Sequence, residues 1–119
     1  MVDTATNEIS NYQYAVFEVD SKLLNMDRDQ FLFLLISEGI LAQKYFHPGI
    51  HRIPPYNHLY PQYRESLPIT DRFCTSLLQL PIGSNVTQND IEKISDLITF
   101  IIQHNNEISE CFEKTTKDQ

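Results

Sequence analysis

The stretch YQYAVFEV, residues 12–19, is rich in aromatic and β-branched side chains. Alternate residues of an extended strand point to opposite faces, and both faces here are largely apolar, with Phe17 on one and Tyr14 on the other. A strand of this kind lies inside a structure, with other elements on both sides. The stretch therefore predicts an internal strand over residues 12–19, and the rest of the fold follows from what covers it.

The next segment predicts a helix over residues 29–38. Its body, FLFLLIS at residues 31–37, is apolar almost all round, which indicates cover on more than one flank. Asn25 or Asp27 can cap the start of this helix, because a short polar side chain accepts hydrogen bonds from the first backbone N–H groups. Gly39 supplies the left-handed residue that ends many helices.

Four further elements are expected after this helix. Thr70 can cap one helix, and Thr87 with Asp90 resembles a capping box for another, whose regularly spaced isoleucines are most simply core. In chain order the elements are a strand over residues 41–46, a helix over 71–77, a strand over 78–80 and a helix over 88–112. Strands and helices are intermixed with short connections, which predicts an α+β fold, a small antiparallel sheet with helices against one face.

Composition and charge are those of a soluble single domain. The chain has 119 residues, 41% of them apolar and 21% charged, and nine basic against sixteen acidic residues give a net charge of −7. This acidic balance argues against nucleic acids and anionic membranes as partners, since both need a basic face. No window approaches the roughly 20 apolar residues of a membrane span, and the start lacks a signal-peptide pattern, so we expect a cytoplasmic protein.

One folded unit is expected, with polar segments at both ends. Residues 1–10 are mostly polar and are interpreted as a linker or a disordered end. Residues 11–112 form the predicted domain, and residues 113–119 are expected to be a flexible, solvated tail.

A proline-rich segment at residues 47–67 carries three of the four histidines and three of the six tyrosines. So long an irregular connection in a small domain is usually a binding loop or a disordered one. Disordered segments rarely hold so many aromatic residues, so an ordered binding loop is expected.

The histidines of this loop invite a metal site formed by His47, His51 and His58. A helix would bring the first two to one face, but Pro48 and Gly49 oppose a helix, and no acidic residue or cysteine lies among them. Hydrogen bonds from loop histidines to the backbone are the simpler interpretation, and no metal ligand is predicted.

No complete catalytic set is present in the sequence. Cys74 lies on an apolar helical stripe, where a buried and unreactive thiol is expected. Asp27 and Asp29 lie at a helix start, where capping and interaction with the helix dipole explain them. The three glycines form no phosphate-binding loop.

Several short segments occur in a characteristic order. They are SNYQY at residues 10–14, RD at 28–29, YFHPGIHRIPPY at 45–56, LPITDR at 67–72 and LPIG at 80–83. In this order and spacing they resemble the C-terminal domain of the DegT/DnrJ/EryC1/StrS sugar aminotransferases. The resemblance covers nearly the whole chain and implies the small domain of a fold-type I aminotransferase.

That family uses pyridoxal phosphate to transaminate nucleotide-linked keto sugars, so the resemblance implies this cofactor for an assembled enzyme. The Schiff-base lysine, the acid on the pyridine nitrogen and the phosphate cup belong to the family's large N-terminal domain. No lysine of this chain lies in a segment that resembles the family's lysine segment. A Schiff base needs a desolvated lysine beside a held cofactor. We therefore expect the chain alone to bind no cofactor and to be inactive, without catalytic residues of its own.

The family's small domain closes one side of the active-site cleft and touches the sugar. The resemblance matches His51 to a histidine near the cofactor and substrate, and Tyr45 to the residue leading into that loop. Arg52 and Tyr56 follow as groups for nucleotide phosphate or sugar hydroxyls. We expect His51 on the functional surface; the alternatives are that it is buried and bonded to backbone, that Tyr45 is a core residue, and that Tyr56 pins the loop.

Two functions remain open at this point. The chain is either an aminotransferase small domain, whose partner is a large domain of the same gene or a separate chain, or a stand-alone binding or oligomerisation module derived from one. The nucleotide sugar binds only when the enzyme is assembled. A large domain would cover part of the apolar surface at residues 12–19 and 31–36, and in isolation such a surface can form a homodimer.

Overall fold

The computed structural model describes residues 11–117, so the expected linker at residues 1–10 lies outside the described residues. Within this range three strands form one sheet, and helices surround it. The strands are β1 (Ala15–Glu18), β2 (Gln43–Lys44) and β3 (Leu77–Leu80), and the helices are α1 (Ser21–Leu24), α2 (Arg28–Ser37), α3 (Tyr56–Leu59), α4 (Pro68–Ser76), α5 (Gln88–Gln103) and α6 (Asn105–Lys117). This architecture confirms the predicted α+β fold.

The sheet is antiparallel with strand order β1-β3-β2. All three predicted strands exist, but β1 and β2 are shorter than the predicted residues 12–19 and 41–46. β1 pairs along its whole length with β3, whose four residues end before Pro81, a residue without a backbone donor. The backbone of Phe46 is left-handed, with φ 48°, which ends β2 early. Strand length is therefore set by the partner strand and not by the local pattern.

The hydrophobic core lies between the sheet and α2, with one contribution from α5. Phe31 of α2 meets Phe17 of β1 edge-to-face, with ring centroids 6.0 Å apart. The buried core residues are Val19, Met26, Phe31, Leu32, Leu35, Ala42, Leu78 and Ile101. Phe33 and Ile36, on the opposite face of α2, are more than half exposed. The all-round apolar character of this helix therefore serves the core on one face and leaves apolar surface on the other.

Two of the three predicted capping residues cap the start of a helix in the structure. Asp27 caps α2 in a reciprocal capping box with Gln30, and Thr87 does the same for α5 with Asp90. The prediction that Thr70 caps a helix is wrong, because α4 begins earlier, at Pro68. Proline suits the first helical turn, because the backbone N–H that proline lacks would have no hydrogen-bond partner within the helix there.

The predicted single helix over residues 88–112 is wrong: α5 ends before His104, and α6 starts at Asn105. The His104 ring stacks on Phe100 at 4.2 Å, and the Asn105 side chain donates a 3.2 Å hydrogen bond to the Leu23 carbonyl. Ser109 donates to the carbonyl of Asn25 at 2.7 Å. These tertiary bonds pull α6 onto the end of α1 and break the helix where its polar residues lie.

Two further features concern the C-terminal part of the chain. Residues 113–117 continue α6 as helix, and the flexibility expected of residues 113–119 stays a prediction. The isoleucine stripe of α5 is only partly core, because Ile101 is buried whereas Ile91 and Ile102 are about half exposed. None of the helices within residues 11–117 combines the length and the apolar character needed to cross a bilayer.

Candidate functional site

A cavity of about 470 Å³ lies between the proline-rich segment and α4, and we call it the loop cavity. Its wall is aromatic and aliphatic, with a few polar groups. The lining residues are Phe46, Gly49, Ile50, His51, Tyr56, Tyr60, Tyr63, Leu67, Thr70 and Cys74. A mostly apolar concavity with a few placed polar groups is the usual form of a small-molecule site. The proline-rich segment is therefore an ordered loop that builds a cavity.

His51 lies on a 3₁₀ turn over Ile50–Arg52 and is buried, with 9% of its surface exposed. Its Nε2 atom is 2.9 Å from Oδ1 of Asp71, in the first turn of α4. The ring lies in the cavity wall and outside the hydrophobic core cluster. The side chain is buried, as the alternative interpretation has it, but its partner is a carboxylate and not the backbone. That His51 belongs to the functional surface stays a prediction.

Arg52 shares the same carboxylate oxygen. Its Nε donates to Oδ1 of Asp71 at 2.7 Å, and its side chain remains 42% exposed. The hydrogen bonds from Arg52 and then His51 lower the pKa of Asp71 to about 2, and the same carboxylate raises the pKa of Arg52. Asp71 is therefore ionised at neutral pH and joins two of the predicted site residues.

This carboxylate gives a pH dependence that can be measured. The pKa of Asp71 is about 2 in the folded chain against an ordinary value of 3.8, so its stabilising contribution is complete above about pH 4 and is lost as the pH falls toward about 2. Urea unfolding across this range is expected to show a smaller loss of stability for Asp71→Asn than for the wild type. Equal losses for the two proteins would contradict this assignment.

The other two predicted residues are placed differently. Tyr56 of α3 is about half exposed and lines the loop cavity. Tyr45, which follows β2, is not among the lining residues. Its ring packs against Tyr14 at 5.8 Å and Phe46 at 4.4 Å, so it reaches the cavity only through Phe46. His51 and Tyr56 thus lie in the wall of the loop cavity. Arg52 is joined to His51 through Asp71, and Tyr45 lies behind the wall.

Two aromatic members of the wall were missed at the level of sequence. Tyr60 and Tyr63 follow Tyr56 at intervals of four and three residues, a spacing that places side chains on one side of a helix. The chain there forms α3 and a 3₁₀ turn over Pro61–Tyr63, and the two later rings lie 6.4 Å apart. The spacing was a usable signal, but the prolines argued for an irregular loop.

Arg28 was missed as well, and it supports the cavity wall from outside the cavity. Its guanidinium is buried, and Nη1 donates to the carbonyls of Cys74 at 3.2 Å and Leu77 at 3.1 Å. Nδ1 of His47 is 3.0 Å from the same Cys74 carbonyl. Arg28 therefore ties the start of α2 to the junction of α4 and β3, next to the cavity wall.

The remaining candidates are structural. Cys74 is buried, which confirms the predicted burial, and burial raises the pKa of its thiol. Its lack of reactivity stays a prediction. Asp29 pairs with Arg28 and with Lys44, the latter at 2.6 Å, and these cations lower its pKa against the opposing effect of burial. Within residues 11–117 no three histidine, cysteine or acidic side chains are grouped to hold a metal ion.

Comparison with known proteins identifies the class of protein. The model of the DegT/DnrJ/EryC1/StrS aminotransferase family matches residues 1–99. Over 92 residues the chain is 35% identical to dTDP-4-amino-4,6-dideoxy-D-glucose transaminase of Escherichia coli, which is 77% of this chain and 24% of that protein. It also resembles the crystal structure of DesI in the presence of its TDP-sugar product, with 28% identity and a TM-score of 0.74, over 88% of this chain and 26% of DesI.

The chain therefore belongs to the DegT/DnrJ/EryC1/StrS aminotransferase family. It spans about a quarter of the length of the two relatives.

The residues of the loop cavity do not fit pyridoxal phosphate, the cofactor of this family. The wall of the loop cavity contains neither a lysine to form a Schiff base nor a carboxylate to pair with the pyridine nitrogen. Lys44, whose amine is bound to Asp29, is not a lining residue. The chemistry available in the loop cavity is that of binding and orienting a ligand.

Proposed function

We propose that this chain is the small, C-terminal domain of an aminotransferase that acts on a nucleotide-linked keto sugar. The observation that carries this proposal is the coverage of the structural match. The match to DesI takes in 88% of this chain but 26% of DesI, at a TM-score of 0.74. A unit of this size with its own core behaves as one domain of a larger enzyme.

The loop cavity supplies the ligand-binding part of this function. Tyr56 offers a phenol and His51 an imidazole nitrogen, both suited to hydroxyl groups of a sugar. Arg52 uses Nε for Asp71 and keeps its terminal guanidinium nitrogens for an anionic group such as a nucleotide phosphate. An acidic protein that binds an anionic ligand needs such a local cation, and Arg52 provides it beside the cavity.

The proposed partner is an aminotransferase large domain, which supplies the Schiff-base lysine and the pyridoxal phosphate. An apolar groove of about 460 Å³ runs along α5 beside the ends of β1 and β3, between Ile91, Ile94, Ile98, Leu80 and Ile82. Ile91 and Ile82 in this groove remain substantially exposed. The three quarters of the relatives that this chain does not match provide the mass to cover such a surface.

The same exposed groove favours one other function, a stand-alone binding or oligomerisation module that pairs with a second copy of itself. In both cases we place the protein in the cytoplasm, where nucleotide-linked substrates are found and disulfides are rare.

Without a large domain we expect no cofactor chemistry. The chain mixed with pyridoxal phosphate and borohydride is expected to show only scattered labelling of surface lysines, because no lysine lines the loop cavity. Mass spectrometry of the peptides checks this result. A stoichiometric adduct at one lysine would contradict it.

The function itself is tested by exchange of matching segments. This chain replaces the matching 24% of the Escherichia coli transaminase, and the chimera is assayed for pyridoxal phosphate absorbance and for amination of its dTDP-linked keto sugar. We expect cofactor binding and measurable amination. A control chimera carries His51→Ala and is expected to keep the absorbance band but lose most of the turnover. A cofactor-loaded chimera without turnover would favour the stand-alone module.

A further inference from the structure

The Asp71 carboxylate fixes more than the position of His51. Because the pKa of Asp71 is about 2, both of its oxygens are acceptors at neutral pH. The hydrogen of the 2.9 Å bond therefore belongs to Nε2 of His51. In the neutral imidazole the other nitrogen, Nδ1, then carries the lone pair, since a neutral ring has one donor and one acceptor.

Nδ1 is the ring atom left for a ligand. In the described part of the chain, Nδ1 of His51 has no hydrogen-bond partner. It is accessible to a ligand, because in that part the fully buried side-chain atom without a hydrogen-bond partner is Oδ1 of Asn57 and not this nitrogen. An added Cβ on Gly49 would lie 3.1 Å from Nδ1 and 2.9 Å from Cε1, and Gly49 is itself part of the cavity wall. This edge of the ring is thus next to the cavity and beside a residue without a side chain.

Asp71 also holds Arg52 by the same oxygen, at 2.7 Å. The Asp71 carboxylate therefore holds both the His51 ring, with its acceptor nitrogen Nδ1, and the Arg52 guanidinium in place beside the loop cavity. The acceptor selects a ligand group that carries a hydrogen, and the guanidinium selects an anion. A hydroxyl meets the first requirement, whereas an ionised phosphate oxygen does not.

We propose that Asp71 is a positioning residue that holds the His51 imidazole with its hydrogen on Nε2, so that Nδ1 accepts a hydrogen bond from a hydroxyl of the sugar ligand. The sugar as the source of that hydroxyl rests on the proposed function. The tautomer does not, because it depends only on residues of this chain. The two parts therefore have separate tests.

The tautomer is tested by nitrogen NMR on the full 119-residue chain. Long-range proton–nitrogen spectra distinguish a protonated Nε2 from a protonated Nδ1, and His51→Gln assigns the signals. We expect Nε2–H in the wild type and a mixture of the two tautomers in Asp71→Ala, because alanine removes the side-chain acceptor of Nε2. Asp71→Glu, which restores an acceptor, is expected to recover the wild-type tautomer.

Asp90→Ala is the matched control, since Asp90 is also a first-turn carboxylate but belongs to the capping box of α5. It is expected to leave the His51 signals unchanged. Arg52→Gln is expected to preserve Nε2–H, because the bond between His51 and Asp71 remains. A wild-type ring protonated on Nδ1 overturns the proposal even where Asp71→Ala fails to fold, and so does an Asp71→Ala spectrum equal to that of the wild type.

The hydroxyl contact is tested in the assembled chimera with the Escherichia coli transaminase, because the nucleotide sugar is expected to bind only when the enzyme is assembled. The chimera, with nitrogen-labelled histidine, is titrated with dTDP-glucose and with dTDP. The Nδ1 signal is expected to move with dTDP-glucose and to stay in place with dTDP. Equal responses to the two nucleotides, or none, overturn the sugar contact and leave the tautomer standing. Amination by the chimera, which tests the proposed function, does not depend on either spectrum.

Discussion

Replacement of Arg28 by methionine is expected to lower the free energy of unfolding by about 3 to 6 kcal/mol, because two hydrogen bonds from a charged donor are lost at about 1.5 to 3 kcal/mol each. Arg28 is only 3% exposed. Its Nη1 donates to the carbonyls of Cys74 and Leu77, at 3.2 and 3.1 Å. Methionine fills much of the space but leaves both carbonyls without this donor.

Each carbonyl keeps one other hydrogen-bond partner after this change. Nδ1 of His47 lies 3.0 Å from the Cys74 carbonyl, and the backbone N–H of Tyr45 donates to the Leu77 carbonyl at 3.3 Å. The loss of stability is that of the two bonds from the charged guanidinium. The loss therefore falls on the junction between α4 and β3, and with it on the wall of the loop cavity that Cys74 helps to form.

Denaturant unfolding of Arg28→Met and Arg72→Met separates the buried arginine from an exposed one. The Arg72 side chain is 62% exposed, lies 3.4 Å from Glu18 and stacks over Phe73, so its removal is expected to change stability by about 1 kcal/mol or less. Arg28→Lys is expected to fall between the two, since one ammonium cannot reproduce both the Nε bond to Asp29 and the Nη1 bonds to the two carbonyls. Equal midpoints for Arg28→Met and Arg72→Met would refute the role given to Arg28.

The local part of the fold could be predicted because its signals lie close together in the sequence. The capping residues Asp27 and Thr87 and the left-handed Gly39 act within a few residues of themselves, and they are where the pattern put them. Strand lengths and the break at His104 were missed because they depend on distant partners. β3 decides how much of residues 12–19 can pair, and Leu23 draws Asn105 out of a continuous helix.

The residues of the candidate site also divide into those that the local sequence identified and those that only distant contacts reveal. His51, Arg52 and Tyr56 lie within six residues of one loop, so resemblance in that loop was enough to select them. Asp71 and Arg28 are about twenty residues away on either side, and only the packing of α4 and α2 against the loop gives them their roles. Asp71 was visible as an acidic residue at a helix start, where the helix dipole is an adequate local explanation, whereas the dipole disfavours a cation such as Arg28 at that place. Arg28 is buried, and the neighbouring sequence contains no signal that predicts this burial.

Replacement of Gly49 by alanine is expected to have the other large effect, because two independent costs coincide there. Gly49 has φ 96° and ψ 142°, a conformation that residues with a side chain avoid at about 1 to 3 kcal/mol. An added Cβ would also lie 2.9 Å from Sγ of Cys74 and 2.9 Å from Cε1 of His51. Crowding of this kind in a packed region adds about 1 to 3 kcal/mol.

Gly83→Ala is the control that separates these two costs. Gly83 also has a positive φ, 129°, but an added Cβ there would meet no atom within 4 Å. We therefore expect Gly83→Ala to lose only the backbone contribution, and Gly49→Ala to lose about 1 to 3 kcal/mol more in denaturant unfolding. Equal losses at the two glycines would show that the wall around Gly49 yields without strain.

The crowding at Gly49 should be coupled to the side chains that cause it. In the double variant Gly49→Ala with Cys74→Ala, Sγ is gone and the new methyl group keeps only its contact with the His51 ring. The combined loss of stability is expected to be smaller than the sum of the two single losses, as for residues in direct contact. The same methyl group pushes the ring that binds Asp71, so the Nε2–H signal of His51 is expected to weaken in Gly49→Ala and to persist in Gly83→Ala. Additive losses of stability together with an unchanged His51 signal would mean that glycine is needed at position 49 only for its backbone conformation, and that Gly49 does not shape the loop cavity.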